Sequence, residues 1–144
     1  MANTIHAFDY LEAPSALGPV EVVFGDEPFL KRLVLEQMQK LANPDGDAPA
    51  AVFDGDTVEW RDVRDELQTV SLFNASGLRV AIVEQGDRFV SEHRGRLEDY
   101  VTNPQKRGIL VLEVTKWAAN TKLYKLVDKH GVQVECRLPQ QGRG

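Results

Sequence analysis

The chain has 144 residues, 42% of them hydrophobic and 27% charged, with a formal net charge of −5 at pH 7, which fits one globular domain with a real core. No apolar run approaches the roughly 20 residues of a membrane helix, and the first residues lack the basic stretch and apolar core of a secretory signal. The acidic total is not that of a basic nucleic-acid binder.

Residues 1–17 show little periodicity and read as a loose lead-in. Strands and helices then alternate. "PVEVVF" (19–24) reads as a buried strand. In the following helix Phe29, Leu30, Leu33, Val34, Met38 and Leu41 fall at helical spacing, with Asp26 as its cap and Pro28 in its first turn. "ANPDGDAPA" (42–50) is a loop by composition. "AVF" (51–53) is a short strand, and Asp56 and Glu59 have capping-box spacing before the next helix. That helix carries Trp60, Val63, Leu67 and Val70 on one stripe. "LRVAIV" (78–83) is the third strand, and "SEHRGRLEDYV" a third helix buried through Leu97, Tyr100 and Val101. "GILVLEV" (108–114) is the fourth strand. The fourth helix runs between Asn120 as cap and Gly131 as terminator, and "VQVEC" (132–136) is the fifth strand. Five strands with four intervening helices predict an α/β domain: a parallel sheet covered on both faces. The tail after it, residues 139–144, reads as a boundary to further domains.

In such folds ligands bind beyond the carboxyl ends of the strands, so the loop after the first strand is the place to look for chemistry. It reads Gly25-Asp26-Glu27-Pro28-Phe29-Leu30-Lys31-Arg32. Gly25 and Lys31 stand at the spacing of a phosphate-binding loop, G-x-x-x-x-G-K-[ST]. Leu30 replaces its second glycine and Arg32 its metal-holding hydroxyl. Pro28 has no N–H to offer an anion, and Asp26 and Glu27 would set negative charge beside a polyphosphate. The loop therefore reads as a degenerate site that does not bind nucleotide. Glu84, at the end of the third strand, reads as a solvated strand end rather than a metal-holding carboxylate.

Other chemistry is sparse. His6, His93 and His130 lie in different elements without metal-ligand spacing, so neither a metal site nor a cofactor is expected. A phosphoacceptor arrangement would need Asp26 and Glu27 with Asp87 and Lys116, but Asp87 lies past its strand and Lys116 follows the wrong one. Cys136, the one cysteine, falls in a strand-like run and reads as a buried reduced thiol in a cytosolic setting. Charge is uneven: residues 1–72 hold 5 Lys and Arg against 14 Asp and Glu, residues 73–144 hold 12 against 8. The bland explanation is solvated faces; the sharper one is a dipolar surface that orients a partner. One loop breaks the usual polar rule. "SLFNASG" (71–77) places Leu72 and Phe73 side by side off the helical stripe, with Gly77 turning the chain into the next strand. From the residues alone the plainer reading is that both seal the core edge; the other is an exposed anchor for a small pocket.

Taken in order, "VFGDEPFL" (23–30), "FDGD" (53–56), "LQTVSLFNASGLRVAIVEQGDRF" (67–89), "LEDYVTNP" (97–104) and "KLYKLVDKHGVQVEC" (122–136) resemble the N-terminal domain of the delta subunit of bacterial DNA polymerase III, part of the clamp loader. The resemblance implies a three-layer RecA-like, AAA+-related fold with a five-stranded sheet over 18–138, related to P-loop NTPases but without a working P-loop. It implies a non-catalytic role in DNA replication, inside a nucleotidyltransferase holoenzyme in the bacterial cytoplasm at the nucleoid. The partner would be the ring-shaped sliding clamp, which delta grips and helps to open. Carried over, Leu72 and Phe73 enter a hydrophobic pocket on the clamp and Ser71 and Asn74 flank the contact. Other loader subunits would be met through C-terminal domains that this sequence does not include. The alternative from another class is an active P-loop-type NTPase. DNA contact is permitted by the basic residues Arg94, Arg96, Lys106, Arg107, Lys122, Lys125 and Lys129, for which a solvated face is the plainer reading.

Overall fold

The computed structural model describes residues 4–46, 49–69 and 78–138. Its elements in chain order are β1 (Thr4–His6), α1 (Ala7–Glu12), β2 (Val20–Phe24), α2 (Pro28–Ala42), β3 (Ala51–Asp54), α3 (Trp60–Gln68), β4 (Arg79–Glu84), α4 (Asp87–Glu92), α5 (Arg94–Thr102), β5 (Gly108–Val114), α6 (Lys122–His130) and β6 (Val132–Glu135). The strands form one six-stranded sheet in the order β1-β6-β2-β5-β4-β3, and every pairing is parallel.

Alternation along each strand divides the core between two faces. Val20, Val22, Phe24, Ala81, Val83, Leu110, Leu112 and Val114 pack on one side with α3, α4, α5 and α6. Val23, Val80, Ile82, Ile109, Val111 and Val134 pack on the other with α1 and α2. The grouping follows from the direction of the chain. It steps across the sheet one way through α1 and α2 and returns through α3 to α6, so crossovers of one hand put the two groups on opposite faces. The result is the three-layer α/β architecture expected from the sequence.

The sheet has six strands rather than the expected five. The additional one lies in the lead-in, where residues 4–12 form β1 and α1. A three-residue strand and a six-residue helix are too short for either period to show. They are held by specific bonds instead. Thr4 pairs with Gln133 in the β1–β6 register, and its hydroxyl lies 2.8 Å from the Tyr124 hydroxyl. His6 caps α1: its Nδ1 accepts from the Phe8 N–H at 3.1 Å, and its Nε2 donates to the Arg137 carbonyl at 2.7 Å. Ala7 and Tyr10 then bury against α2.

Two further differences are local. The expected third helix is two helices, α4 and α5, joined at His93. Phe89 and Val90 of α4 are buried as well as Leu97, Tyr100 and Val101 of α5. The caps also shift by a residue. Glu27, not Asp26, caps α2, and Thr121, not Asn120, caps α6 by accepting from the Tyr124 N–H at 3.1 Å. Glu59 precedes α3 without a side-chain cap bond, while the Asp56 N–H is held by Asp54 at 2.9 Å, so the capping box is absent. In α2, Leu30, Val34 and Met38 are buried as expected, but Phe29 stays 56% exposed.

Candidate functional site

β2 is flanked by β6 and β5, and beyond the carboxyl ends of β2 to β5 lies a cleft of about 900 Å³. Gly25 closes β2 with φ +122°, and a Cβ there would sit 2.3 Å from the Cys136 carbonyl oxygen; glycine is required on both counts. The loop then runs against the strand that follows α6, with the Glu27 N–H donating to the Cys136 carbonyl at 3.2 Å.

At a phosphate-binding loop the first N–H groups of the helix face the anion. Here several of them are already bonded or absent. Pro28 has none. The Glu27 carboxylate accepts from the Phe29 N–H at 3.1 Å, and the Lys31 N–H bonds the Glu27 carbonyl at 3.1 Å. The Lys31 side chain is likewise occupied. Its Nζ lies 2.7 Å from Glu113 Oε2, with only 10% and 14% of the two side chains exposed. The other Glu113 oxygen accepts from the Gln85 N–H at 2.8 Å, where Gln85 takes φ +51°. Asp87 accepts from the N–H groups of Thr115 and Lys116 at 3.1 and 3.0 Å, so the ends of β4 and β5 are laced together. The remaining charges on the cleft wall are Asp26, Glu36, Asp56 and Glu84, against Arg32. Arg32 itself stacks over Phe29, 5.6 Å from the ring centre. Such a cleft repels polyphosphate. Among the described residues no group of three or more His, Cys, Asp or Glu is placed to hold a metal ion.

Gly25 and Lys31 line the same cleft, and Glu84 is exposed at its strand end. Glu113 was not anticipated. Its signal is a lone acid in the apolar run "GILVLEV", since a parallel strand covered on both faces leaves an acid needing a partner.

The same face of the sheet carries other polar groups. Glu21 on β2 is 1% exposed. One of its oxygens accepts from the Gly18 N–H at 2.8 Å, and the other, like the Tyr10 hydroxyl, has no hydrogen-bond partner. Burial pushes its carboxyl up to about 7, against the smaller opposing effect of the Gly18 bond. Burial first, then the Glu21 charge, raises the Tyr10 hydroxyl above its ordinary range. The Cys136 thiol is pushed up to about 12, chiefly by burial, which makes it a poor nucleophile.

Ser71, Leu72, Phe73 and Asn74 lie outside the described residues, as do Val70 and Gly77. The supports on either side are firm. Trp60, Val63 and Leu67 of α3 are buried. The Thr69 hydroxyl donates to the Asp65 carbonyl at 2.8 Å. Arg79, first in β4, pairs with Glu66 of α3 and its N–H donates to the Arg107 carbonyl at 2.8 Å. The chain therefore leaves α3 and enters β4 at points tied to each other.

Residues 22–137 match the family described as DNA polymerase III, delta subunit. Among solved structures the chain is similar to the Bacillus subtilis DNA clamp loader delta protein YqeN, with 20% sequence identity and a TM-score of 0.66 over 92% of this chain. The similarity covers 42% of that protein, so this chain spans less than half its length. A search of curated proteins by sequence found no match.

Proposed function

Because this chain belongs to the DNA polymerase III delta subunit family, we propose that it is a clamp-loader module that binds the sliding clamp and helps to open it during replication, without hydrolysing ATP itself. The observation that carries the non-catalytic part is the Lys31–Glu113 pair. The residue at the phosphate-binding lysine position is neutralised by a carboxylate in the cleft, and the Phe29 and Lys31 N–H groups are bonded to Glu27. The order β6-β2-β5-β4-β3 supports a RecA-like, AAA+-related body over 18–138, with β1 added at its edge.

In this reading Leu72 and Phe73 insert into a hydrophobic pocket on the clamp, with Ser71 and Asn74 beside them. Two adjacent apolar side chains give a compact anchor of the kind that dominates small interfaces. The supports at α3 and β4 hold that anchor on a stiff body, so force on the body reaches the ring. ATP would be bound by other loader subunits of the polymerase holoenzyme, reached through domains beyond residues 139–144. The setting is the cytoplasmic replication machinery. No helix among the described residues is long and apolar enough to cross a membrane.

The rival reading is an active P-loop-type NTPase, and a thermal-shift titration with Mg-ATP separates the two. The expected result is no saturable shift. A saturable rise in melting temperature would mean that nucleotide displaces Glu113 from Lys31 and would overturn the non-catalytic reading. The clamp side is tested by retention on immobilised sliding clamp of the same organism: the chain is retained and Leu72→Ala/Phe73→Ala is not.

A further inference from the structure

The sheet ends at β3, which pairs with β4 alone. The Gly55 N–H just beyond it donates to the Glu84 carbonyl at 2.7 Å. Along a strand in a parallel pair the backbone groups of successive residues turn to alternate edges. Those of Ala51 and Phe53 therefore face β4, and those of Val52 and Asp54 turn outward. The Asp54 carbonyl is taken up by the Thr57 and Val58 N–H groups at 3.1 and 2.9 Å. The Val52 N–H and carbonyl and the Asp54 N–H face an edge on which no strand lies among the described residues.

The side chains there are also open. Val52 and Asp54 share the sheet face on which α1 and α2 pack. Ile82, beside Val52 in register, is buried, but Val52 is 54% exposed, so neither helix covers the last strand. Asp54 stands opposite Glu84. Neighbouring strands lie about 4.8 Å apart, so the two carboxylates repel. Theirs is the one register pair of like charge among the described strands. Both are exposed, and neither has an ion-pair partner among the described residues. Asp56, just beyond, lines the same cleft as Val52 and Glu84.

An open edge accepts an added strand, whose main chain supplies affinity and whose alternate side chains supply specificity. We propose that the free edge of β3 binds an extended segment of a partner protein, with an apolar residue beside Val52 and a lysine or arginine two positions away beside Asp54 and Glu84. The cation relieves the repulsion between the two carboxylates, and the apolar residue covers Val52. A second copy of this chain is the poorer occupant, because its own β3 reads Ala-Val-Phe-Asp and brings no cation. The edge does not depend on Leu72 and Phe73 gripping the clamp.

The test is titration of the isotope-labelled full chain with the synthetic peptide Thr-Val-Thr-Lys-Thr-Val-Thr-Lys-Thr, followed by amide NMR and hydrogen exchange. Saturable shifts should centre on Val52 and Asp54, and the Val52 amide should exchange at least about tenfold more slowly in the complex. The same peptide with glutamate in place of lysine should bind at least about tenfold more weakly. So should the parent peptide to Asp54→Asn/Glu84→Gln, in which asparagine keeps an oxygen for the Asp56 N–H. That variant loses a repulsion and should melt no lower than the parent chain, which separates lost binding from misfolding. Asp65→Asn/Asp99→Asn removes the same charge from exposed positions on α3 and α5 and should bind within about twofold of the parent chain. Absence of saturable binding, equal binding of the lysine and glutamate peptides, or shifts without protection of the Val52 amide would overturn the proposal. So would dimerisation of the parent chain in sedimentation that Val52→Lys abolishes, which would assign the edge to a second copy.

Discussion

The two faces of the sheet handle charge in opposite ways. Beneath α1 and α2 the sheet buries Glu21, the Tyr10 hydroxyl and the Lys31–Glu113 pair. Beneath α3 to α6 the core is Trp60, Val63, Phe89, Leu97, Leu110 and their neighbours. Among the described residues the one buried polar residue there is Gln133, bonded to Trp117 at 2.5 Å and to Asp128 at 3.3 Å. Arg61, Arg64 and Arg96 on that side stay exposed, while Arg79 and Arg88 are partly buried and paired with Glu66 and Glu92. The difference separates two uses of polar residues. On the first face Lys31 and Glu113 are paired, while the Tyr10 hydroxyl and one Glu21 oxygen are buried without a partner. On the second the core is apolar apart from Gln133, and the charged pairs Arg79–Glu66 and Arg88–Glu92 sit at its margin.

The largest way to break this comparison is to separate the buried ion pair. Lys31→Met or Glu113→Gln leaves one charge uncompensated and should lower stability by about 3 kcal/mol. The double variant Lys31→Met/Glu113→Gln removes both charges and leaves an oxygen for the Gln85 N–H, so it should recover more than half of that loss. Urea denaturation of the four proteins measures it. Additive losses would mean that the two residues do not act as a pair.

Glu21 sharpens the same contrast through pH. Its carboxyl is raised from 4.5 to about 7 in the fold, so the folded chain holds a proton that the unfolded chain has released. Stability conferred by that proton is complete below pH 4.5 and is lost as pH rises to about 7, beyond which the penalty is constant. Tyr10 on α1 is the titratable group that faces it. Glu21→Gln should flatten this slope and stabilise the chain at pH 8 by roughly 3 kcal/mol relative to the parent. Melting followed from pH 4 to 8 reads both; a parent chain that gains stability across that window because of Glu21 would contradict the assignment.

Gly25→Ala is a smaller perturbation of the loop. The added Cβ meets the Cys136 carbonyl and the backbone sits at φ +122°, so a loss of roughly 1–3 kcal/mol is expected. A neutral substitution would mean that the loop can leave β6, which would reopen the cleft to ligands.

Much of this was legible in the sequence because the signals were long. β2, β4 and β5 are near-continuous apolar runs, and Trp60, Val63 and Leu67 repeat at helical spacing. β1 was not, because three residues held by Thr4 and His6 through long-range bonds carry no period. The degenerate loop was legible residue by residue, since Pro28 and Leu30 are visible without coordinates. Its closure by Glu113 was not, because the partner lies on β5, 82 positions along the chain. Leu72 and Phe73 were legible as an anomaly, but their proposed role came only from resemblance, since no local rule distinguishes an apolar pair that seals a core edge from one that enters a partner.

That role is best tested by calorimetric titration of the full chain into the sliding clamp of the same organism, alongside Leu72→Ala/Phe73→Ala. Saturable binding by the parent chain and loss of at least about 4 kcal/mol in the double variant, with melting unchanged, is the expected result. Equal affinity of the two proteins for the clamp would contradict the proposal that this Leu–Phe pair is the grip.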